Sequence, residues 1–299
     1  MAIIGAHSPV AKDRSFVIRL GPAAPWRRAR QSGMSHDHTA LAPDGTTLGW
    51  SRTGSGDSVV LVHGITESAA SWAPVVERLA DSNDVITLDL RGHGESGTAL
   101  TYDLASMAGD VLAVVDAAAL DRPHLVGHSL GGAVVTAAGA ARPAAVTSIV
   151  DVDQSLQLEA FKALLAPAEP MLRDPDQYRL VVDAMFDTMF GELLSVDERS
   201  RLNSLRRADH EVVLGVWDLL LTQPVEQITD TVDAALAGFE QHPVPYLALF
   251  GIDPGDGYAD WLTARVPSAI VEQWDQHGHY PHLVDPDRFV ERLRTFWGR

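Results

Sequence analysis

Residues 123–137, PHLVGHSLGGAVVTA, begin like a buried strand and end like an Ala- and Val-rich helix. Gly127, Gly131 and Gly132 stand where one pattern changes into the other. Glycine weakens strands and helices alike, so a local requirement must outweigh that loss. A strand that reverses into a helix within a few residues needs little side-chain volume at the corner. The spacing G-x-S-x-G around Ser129 therefore predicts a nucleophile elbow, with the serine hydroxyl above the edge of a sheet.

Ser129 also stands at the amino end of the following helix. Free backbone N–H groups and the helix dipole favour negative charge there, so an oxyanion could form beside the serine. The pentapeptide alone fits equally well a glycine-rich turn with an incidental serine. The rest of the chain has to decide between these interpretations.

Strand-like and helix-like segments alternate on both sides of the elbow. HTALA and TLGWS, around the Pro43-Asp44-Gly45 turn, predict a hairpin. The short apolar runs typical of buried parallel strands are SVVLVHG (58–64), DVITLDL (84–90), VTSIVDVD (146–153), PYLALFG (245–251) and AIVEQW (269–274). This alternation predicts an α/β fold, with an open, mostly parallel sheet and helices on both faces.

One long interval, residues 154–244, interrupts the alternation. Its Leu-, Met- and Phe-rich segments, such as QLEAFKALLA and YRLVVDAMFDTMF, are not accompanied by a comparable strand. So long an interval is not a structureless loop inside a compact domain. We therefore predict a helical cap at 156–222, between core segments at 34–155 and 223–299. The alternative is that these helices merely lengthen the core.

The bulk composition excludes several classes of protein. A chain of 299 residues with 46% hydrophobic residues can bury a full core, and none of its apolar runs approaches the length of about 20 residues that spans a bilayer. The net charge of -17 argues against nucleic acid as a partner. The chain contains no cysteine, and no nucleotide, flavin or metal motif appears, so we expect no cofactor. We expect a cytoplasmic protein with a small-molecule substrate, either a monomer or a homodimer.

The first 33 residues differ from the rest of the chain. They carry the basic cluster Arg27, Arg28 and Arg30, but no sustained apolar run follows it, which makes a poor signal peptide. Met34 opens a stretch that reads like the start of a domain. We predict a flexible extension at 1–33, with a targeting or docking role as the alternative.

A serine hydroxyl needs a general base, normally a histidine that a carboxylate orients. The last loop of the chain, QWDQHGHYPHLVDPDRF, supplies His277, His279 and His282. The spacing of the first two could suggest a metal site, but no cluster of further ligands lies nearby in sequence.

Four ordered stretches carry a resemblance to the capped, single-domain α/β-hydrolases. HGITES (63–68) resembles the oxyanion loop of that family, DLRGHGES (89–96) its D-x-R-G-x-G-x-S loop, GHSLGG (127–132) its elbow, and GHYPHLVDPDRF (278–289) its catalytic-histidine segment. The resemblance covers residues 38–299 apart from the cap. It implies that Ser129 is the nucleophile and His279 the base, and that the backbone amides of Leu130 and Ile65 form the oxyanion hole.

The triad acid is the point at which the sequence departs from the family pattern. The resemblance implies an acid three residues beyond the glycine that ends the strand after the cap. In FGIDPGDGYADW, Pro254 occupies that place and Asp253 comes one residue earlier. We favour Asp253, and Asp256 is a weaker choice. Asp153, which ends the strand before the cap, is the alternative, because some family members take their acid from there.

The resemblance implies acyl transfer. The reaction that we favour is the hydrolysis of an ester or lactone of a small to medium, largely apolar substrate. Relatives use the same triad for carbon–carbon bond hydrolysis and perhydrolysis, since the fold does not fix the reaction. A protein of another class, a ligand receptor that binds without turnover, is the second alternative. Candidate residues of the substrate pocket are Thr66, His128, Met185, Phe186, Met189, Phe190 and Trp217. The apolar members of this set could equally form the interior of the cap.

Overall fold

Eight strands appear in our computed structural model, which describes residues 36–207 and 209–298. They are β1 (His38–Leu41), β2 (Thr47–Gly54), β3 (Asp57–Val62), β4 (Asn83–Leu88), β5 (His124–His128), β6 (Ser148–Val152), β7 (Tyr246–Phe250) and β8 (Ala269–Gln273). The extension predicted at 1–33 lies outside the described residues.

The strands form one sheet in the spatial order β1-β2-β4-β3-β5-β6-β7-β8. β1 and β2 form the predicted hairpin, and β2 pairs antiparallel with β4. All other neighbours are parallel. The predicted α/β-hydrolase fold, with a mostly parallel sheet, is confirmed.

Helices connect the strands. Before β6 the chain forms α1 (Ala73–Leu79), α2 (Leu104–Ala117) and α3 (Leu130–Ala141). After β7 it forms α11 (Tyr258–Arg265), α12 (Pro281–Val284) and α13 (Pro286–Phe296). Between β6 and β7 lie α4 (Glu159–Leu165), α5 (Glu169–Leu172), α6 (Tyr178–Met189), α7 (Val196–Leu205), α8 (His210–Thr222), α9 (Val225–Leu236) and α10 (Gly238–Gln241). Across 36–207 and 209–298, no helix is long and apolar enough to cross a membrane.

The central strands are buried on both faces, because helices cover both sides of the sheet and successive side chains of a strand point to opposite sides. On β3, Val60 and Val62 pack with α2 and α3, whereas Val59 and Leu61 pack with α1 and α13. All four side chains are fully buried. This explains why the parallel strands read as continuous apolar runs in the sequence.

Helices α4–α8, which we call the inserted helices, have an apolar cluster of their own. Its buried members include Leu165, Leu172, Tyr178, Val181, Val182, Met185, Phe186, Val213, Trp217 and Leu220, together with Ile65 from the loop after β3. Helix α9 takes part in both clusters, because Ile228 belongs to this one whereas Val232 and Leu236 pack with the sheet core. The sequence boundary of the predicted cap, residue 222, coincides with the end of α8.

The strand order reverses at β3, and the loop after that strand meets the inserted helices through Ile65. The chain runs from β3 outward to β4 and then returns to the other side of β3 with β5. Open parallel sheets bind ligands at such a reversal point, beyond the carboxyl ends of the strands. The loops after β3, β5, β6 and β8 all leave the sheet at this edge.

Candidate active site

Ser129 occupies a strained turn between β5 and α3. Its backbone has φ 53° and ψ -124°, a combination that non-glycine residues seldom adopt. A methyl group on Gly127 would overlap the carbonyl of Gly131, and one on Gly131 would overlap the carbonyl of Val62. The two glycines are therefore needed for the close approach of strand, turn and helix.

A carboxylate orients the imidazole of His279. Its Nδ1 lies 2.6 Å from Oδ2 of Asp153, and both side chains are buried. The other carboxylate oxygen of Asp153 accepts the N–H groups of Gly251 at 2.6 Å and Ile252 at 2.9 Å. These contacts hold Asp153 at φ 57° beyond the end of β6 and fix its carboxylate toward the histidine.

Our preference for Asp253 as the partner of His279 is wrong in this geometry. Asp253 is exposed, and its carboxylate accepts the N–H of Gly255 within its own turn at 2.9 Å. Asp256 is exposed as well. The loop after β7 contributes backbone donors to Asp153 instead of a carboxylate to His279, because β6 and β7 are neighbours and end side by side.

The loop after β3 packs directly against the serine. A Cβ atom on Gly64 would lie 3.1 Å from the Cβ of Ser129. The amide of Thr66, two residues after Gly64, donates to Nε2 of His93 at 3.3 Å and is therefore not available to a bound substrate. The amide of Ile65 has no hydrogen-bond acceptor among the described residues. Leu130 opens α3 directly after the serine, where the first N–H groups of a helix have no acceptor within that helix.

Two buried histidines, His63 and His93, form hydrogen bonds with this loop. His63 binds the Gly64 carbonyl through Nδ1 at 2.8 Å and accepts the Leu90 N–H at Nε2 at 3.1 Å. Burial lowers the pKa of His63, and burial together with the neighbouring His63 lowers the pKa of His93 to about 4. Each ring accepts a backbone N–H at Nε2, which only the neutral imidazole can do. Among the residues described, no group of histidines and carboxylates could hold a metal ion.

The inserted helices contact the backbone of His279. The N–H of His279 donates to the carbonyl of Met189, at the end of α6, at 2.8 Å. Next to this bond, Gly191 and Gly278 approach so closely that a Cβ on Gly191 would lie 2.8 Å from the Cα of Gly278. We call this contact, Met189–Gly191 against Gly278–His279, the α6 clamp. Sequence reasoning missed it, because a backbone carbonyl leaves no signal in the residue types.

The predicted pocket residues have different surroundings, and Thr66 is buried in the loop after β3. Met185, Phe186 and Trp217 are at most 4% exposed and belong to the apolar cluster of the inserted helices. Phe190 is 3% exposed and packs with Tyr280 and Leu283, whereas Met189 is half-buried. His128 is wrong as a pocket residue. It is fully buried, and both of its ring nitrogens bind protein groups beneath the site.

A buried carboxyl, Asp151, lies two residues before Asp153 on β6. Its Oδ2 accepts the Tyr246 hydroxyl at 3.3 Å, and its Oδ1 has no hydrogen-bond partner in the described chain. Burial raises the pKa of Asp151 well above its usual value, and the negative charge of Asp153 adds to the rise. The group is therefore protonated in the folded protein at a pH at which the unfolded chain ionises it.

We expect Asp151→Asn to stabilise the protein in a pH-dependent way. A raised folded-state pKa gives stability that is present in acid and is lost as the pH rises toward that pKa. Asparagine cannot ionise, so the free energy of unfolding should exceed that of the wild type by about 1–3 kcal/mol at pH 8. Urea unfolding at pH 4.5 and pH 8 measures the difference, with exposed Asp253→Asn as the control. Equal gains at both pH values would contradict the assignment.

A second Ser–His–Asp contact exists away from the elbow. His36 binds Ser51 through Nδ1 at 3.0 Å and Asp89 through Nε2 at 2.8 Å. Asp89 also accepts the amides of Ala69 and Glu95, and although burial opposes it, the bond from His36 helps to lower the pKa of Asp89 to about 2. Ser51 lies within strand β2 and does not open a helix, so it lacks the amide donors that face Ser129.

Comparison with known proteins gives consistent results. The family model described as alpha/beta hydrolase fold matches residues 57–211. A pimeloyl-[acyl-carrier protein] methyl ester esterase of Aliivibrio salmonicida is 35% identical over 269 residues, which cover 84% of this chain and 96% of the relative. The esterase YbfF of Escherichia coli is 25% identical over 80% of this chain and 92% of its own. A putative aryl esterase from Burkholderia cenocepacia superposes with a TM-score of 0.68 at 25% identity, covering 88% of this chain and 100% of that structure.

Proposed function

Since this chain belongs to the α/β-hydrolase family, we propose that it is a serine esterase whose triad is Ser129, His279 and Asp153. The observation that carries the proposal is the buried 2.6 Å contact between His279 and Asp153. A carboxylate accepts only, so Nδ1 carries the proton and Nε2 is free to accept one. The strained backbone of Ser129 supports its role as the nucleophile.

The proposed reaction has two similar halves. Ser129 Oγ bonds to the carbonyl carbon of the ester while His279 Nε2 takes its proton, and the amides of Ile65 and Leu130 bind the oxyanion. The C–O bond then breaks, and the alcohol leaves with the proton from His279. Water attacks the acyl-enzyme in the same way and releases the acid. Asp153 holds the ring and stabilises the imidazolium throughout.

An apolar substrate suits the surface next to the oxyanion donors. Ile65 belongs to the apolar cluster of the inserted helices, and Leu130 packs against it. We therefore take the inserted helices as the cap, and the side chains around Met189 as the part that meets the substrate. The acyl or alcohol group is small to medium in size and largely apolar. We place the reaction in the cytoplasm.

A labelling experiment tests the proposal. Wild-type protein is treated with a fluorophosphonate, and the modified peptide is identified by mass spectrometry. It is then assayed with p-nitrophenyl acetate, butyrate and octanoate and with a γ-lactone. We expect one modified serine, Ser129, and turnover of the esters with a preference for chains longer than acetate. A folded protein with neither labelling nor turnover would overturn the esterase and favour a ligand receptor.

A further inference from the structure

A buried ion pair lies beneath the candidate site. His128, which is fully buried, has its Nδ1 3.4 Å from Oε2 of Glu67 and its Nε2 2.7 Å from the backbone oxygen of His279. Glu67 is 5% exposed, and the same Oε2 accepts the N–H of Gly64 at 3.3 Å. The proposed triad chemistry uses neither side chain.

The hydrogen-bond partners of His128 favour its charged form. Both of its partners, a carboxylate oxygen and a carbonyl oxygen, are acceptors, so both ring nitrogens must donate, and a neutral imidazole has only one N–H. Burial alone would lower the pKa of His128, but Glu67 outweighs it, and the pKa is raised. Burial would raise the pKa of Glu67, yet the facing His128 lowers it. Both shifts favour the form in which an imidazolium faces a carboxylate.

This one pair touches all three loops that the proposed reaction needs. Glu67 belongs to the loop after β3 and binds its Gly64. His128 directly precedes Ser129 in the elbow. The carbonyl that His128 binds belongs to His279 itself. The pair therefore links the loop of the oxyanion donors, the elbow of the nucleophile and the backbone of the base.

We propose that Glu67 and His128 are a positioning pair, which holds the backbone of His279 so that its ring meets Ser129. The inference rests on the proposed function. The backbone of His279 is held at two points, by the α6 clamp at its N–H and by His128 at its C=O. Without the second point, the segment after Gly278 is free to shift while Asp153 still holds the ring.

Stability alone does not account for the pair. A buried ion pair is often no more stabilising than apolar residues of the same volume, because both charges lose their hydration. Here Oε1 of Glu67 has no hydrogen-bond partner in the described part of the chain, so desolvation is not fully compensated. Such an arrangement fits a geometric role better than a stabilising one.

The test compares four variants on one ester that the wild type hydrolyses. In His128→Leu the donor is lost, and we expect kcat to fall by about 10- to 100-fold with KM within about twofold, because a displacement of about 1 Å can cost about 100-fold. In His128→Gln an amide can still donate to the carbonyl, and we expect most of kcat to return. Glu67→Gln keeps the shape and loses the charge, and kcat should fall by about 3- to 10-fold. His124→Leu, at the other end of β5, is the control for the loss of a buried histidine, and its kcat should stay within about twofold of the wild type.

A second measurement does not depend on activity. Ring nitrogen-15 NMR of the wild type at pH 8, assigned by the signals that vanish in His128→Gln, should show two protonated ring nitrogens. A neutral ring would overturn the charged pair.

The outcomes separate this inference from the proposed function. If the wild type shows no turnover that depends on Ser129, the esterase itself is overturned and the positioning role with it. If turnover is normal and folded His128→Leu retains wild-type kcat, only the positioning role is overturned. Should His128→Leu fail to fold, unchanged kcat in Glu67→Gln overturns it. A fall in His128→Leu that glutamine does not rescue, or that His124→Leu equals, also overturns it.

Discussion

Ser129→Ala is expected to lower the turnover of p-nitrophenyl butyrate by about 10⁴- to 10⁶-fold and to abolish labelling by a fluorophosphonate. Alanine removes the only atom of this side chain that can bond to the carbonyl carbon. The strained backbone is retained, so the fold should survive. Stopped assays with high enzyme concentrations measure the residual rate.

Ser51→Ala is the matched control for this prediction. Ser51 also contacts a histidine that contacts an aspartate, through His36 and Asp89. It lies within a strand and lacks amide donors for an oxyanion, so its replacement should leave labelling and turnover unchanged. If Ser129→Ala remained labelled and Ser51→Ala did not, the nucleophile would be Ser51, and our assignment of Ser129 would be wrong.

Asp153→Asn is expected to lower kcat by about 10⁴-fold, whereas Asp253→Asn should leave it within about twofold of the wild type. The Oδ1 of Asp153 accepts two backbone N–H groups. Asparagine must keep its oxygen there and turn its NH₂ toward His279. Nδ1 would then have to accept, Nε2 would carry the proton, and the ring could no longer take a proton from Ser129.

The pH dependence of kcat in Asp153→Asn tests this explanation independently. If the changed tautomer of His279 causes the loss of turnover, hydroxide should restore part of the rate, because hydroxide can deprotonate Ser129 without the histidine. The kcat of Asp153→Asn should therefore rise with pH above 9, where that of the wild type is flat. Loss of activity in Asp253→Asn with normal activity in Asp153→Asn would reverse our assignment of the carboxylate.

Much of the fold could be predicted because its signals are local. Apolar runs such as SVVLVHG mark strands that are buried on both faces, and the elbow glycines mark a corner that tolerates no side chain. The order of Ser129 and His279 along the chain follows from the same motifs. These elements depend on near neighbours in sequence, which the pattern displays directly.

The acid could not be chosen in this way, because both candidates follow strands that end at the same edge. Asp153 and Asp253 come after the neighbouring strands β6 and β7. The choice depends on whether a loop offers its carboxylate or its amides, and Asp253 turns back to cap the N–H of Gly255. The role of Glu67 was missed for a similar reason, since its partner His128 lies 61 positions away in the sequence.

The α6 clamp limits how the substrate range of this protein can change. The peptide groups that anchor the proposed base come from the helices that would also select the substrate, with Met189 contributing the acceptor. A chimaera that combined this sheet with the inserted helices of a relative would keep the anchor only where a backbone carbonyl of the new helices lies in the place of that of Met189, and without it turnover should fall for every substrate alike. Laboratory evolution toward new esters can therefore replace the Met189 side chain, because only its backbone serves the clamp, but it should retain Gly191 and Gly278, which leave no room for a side chain.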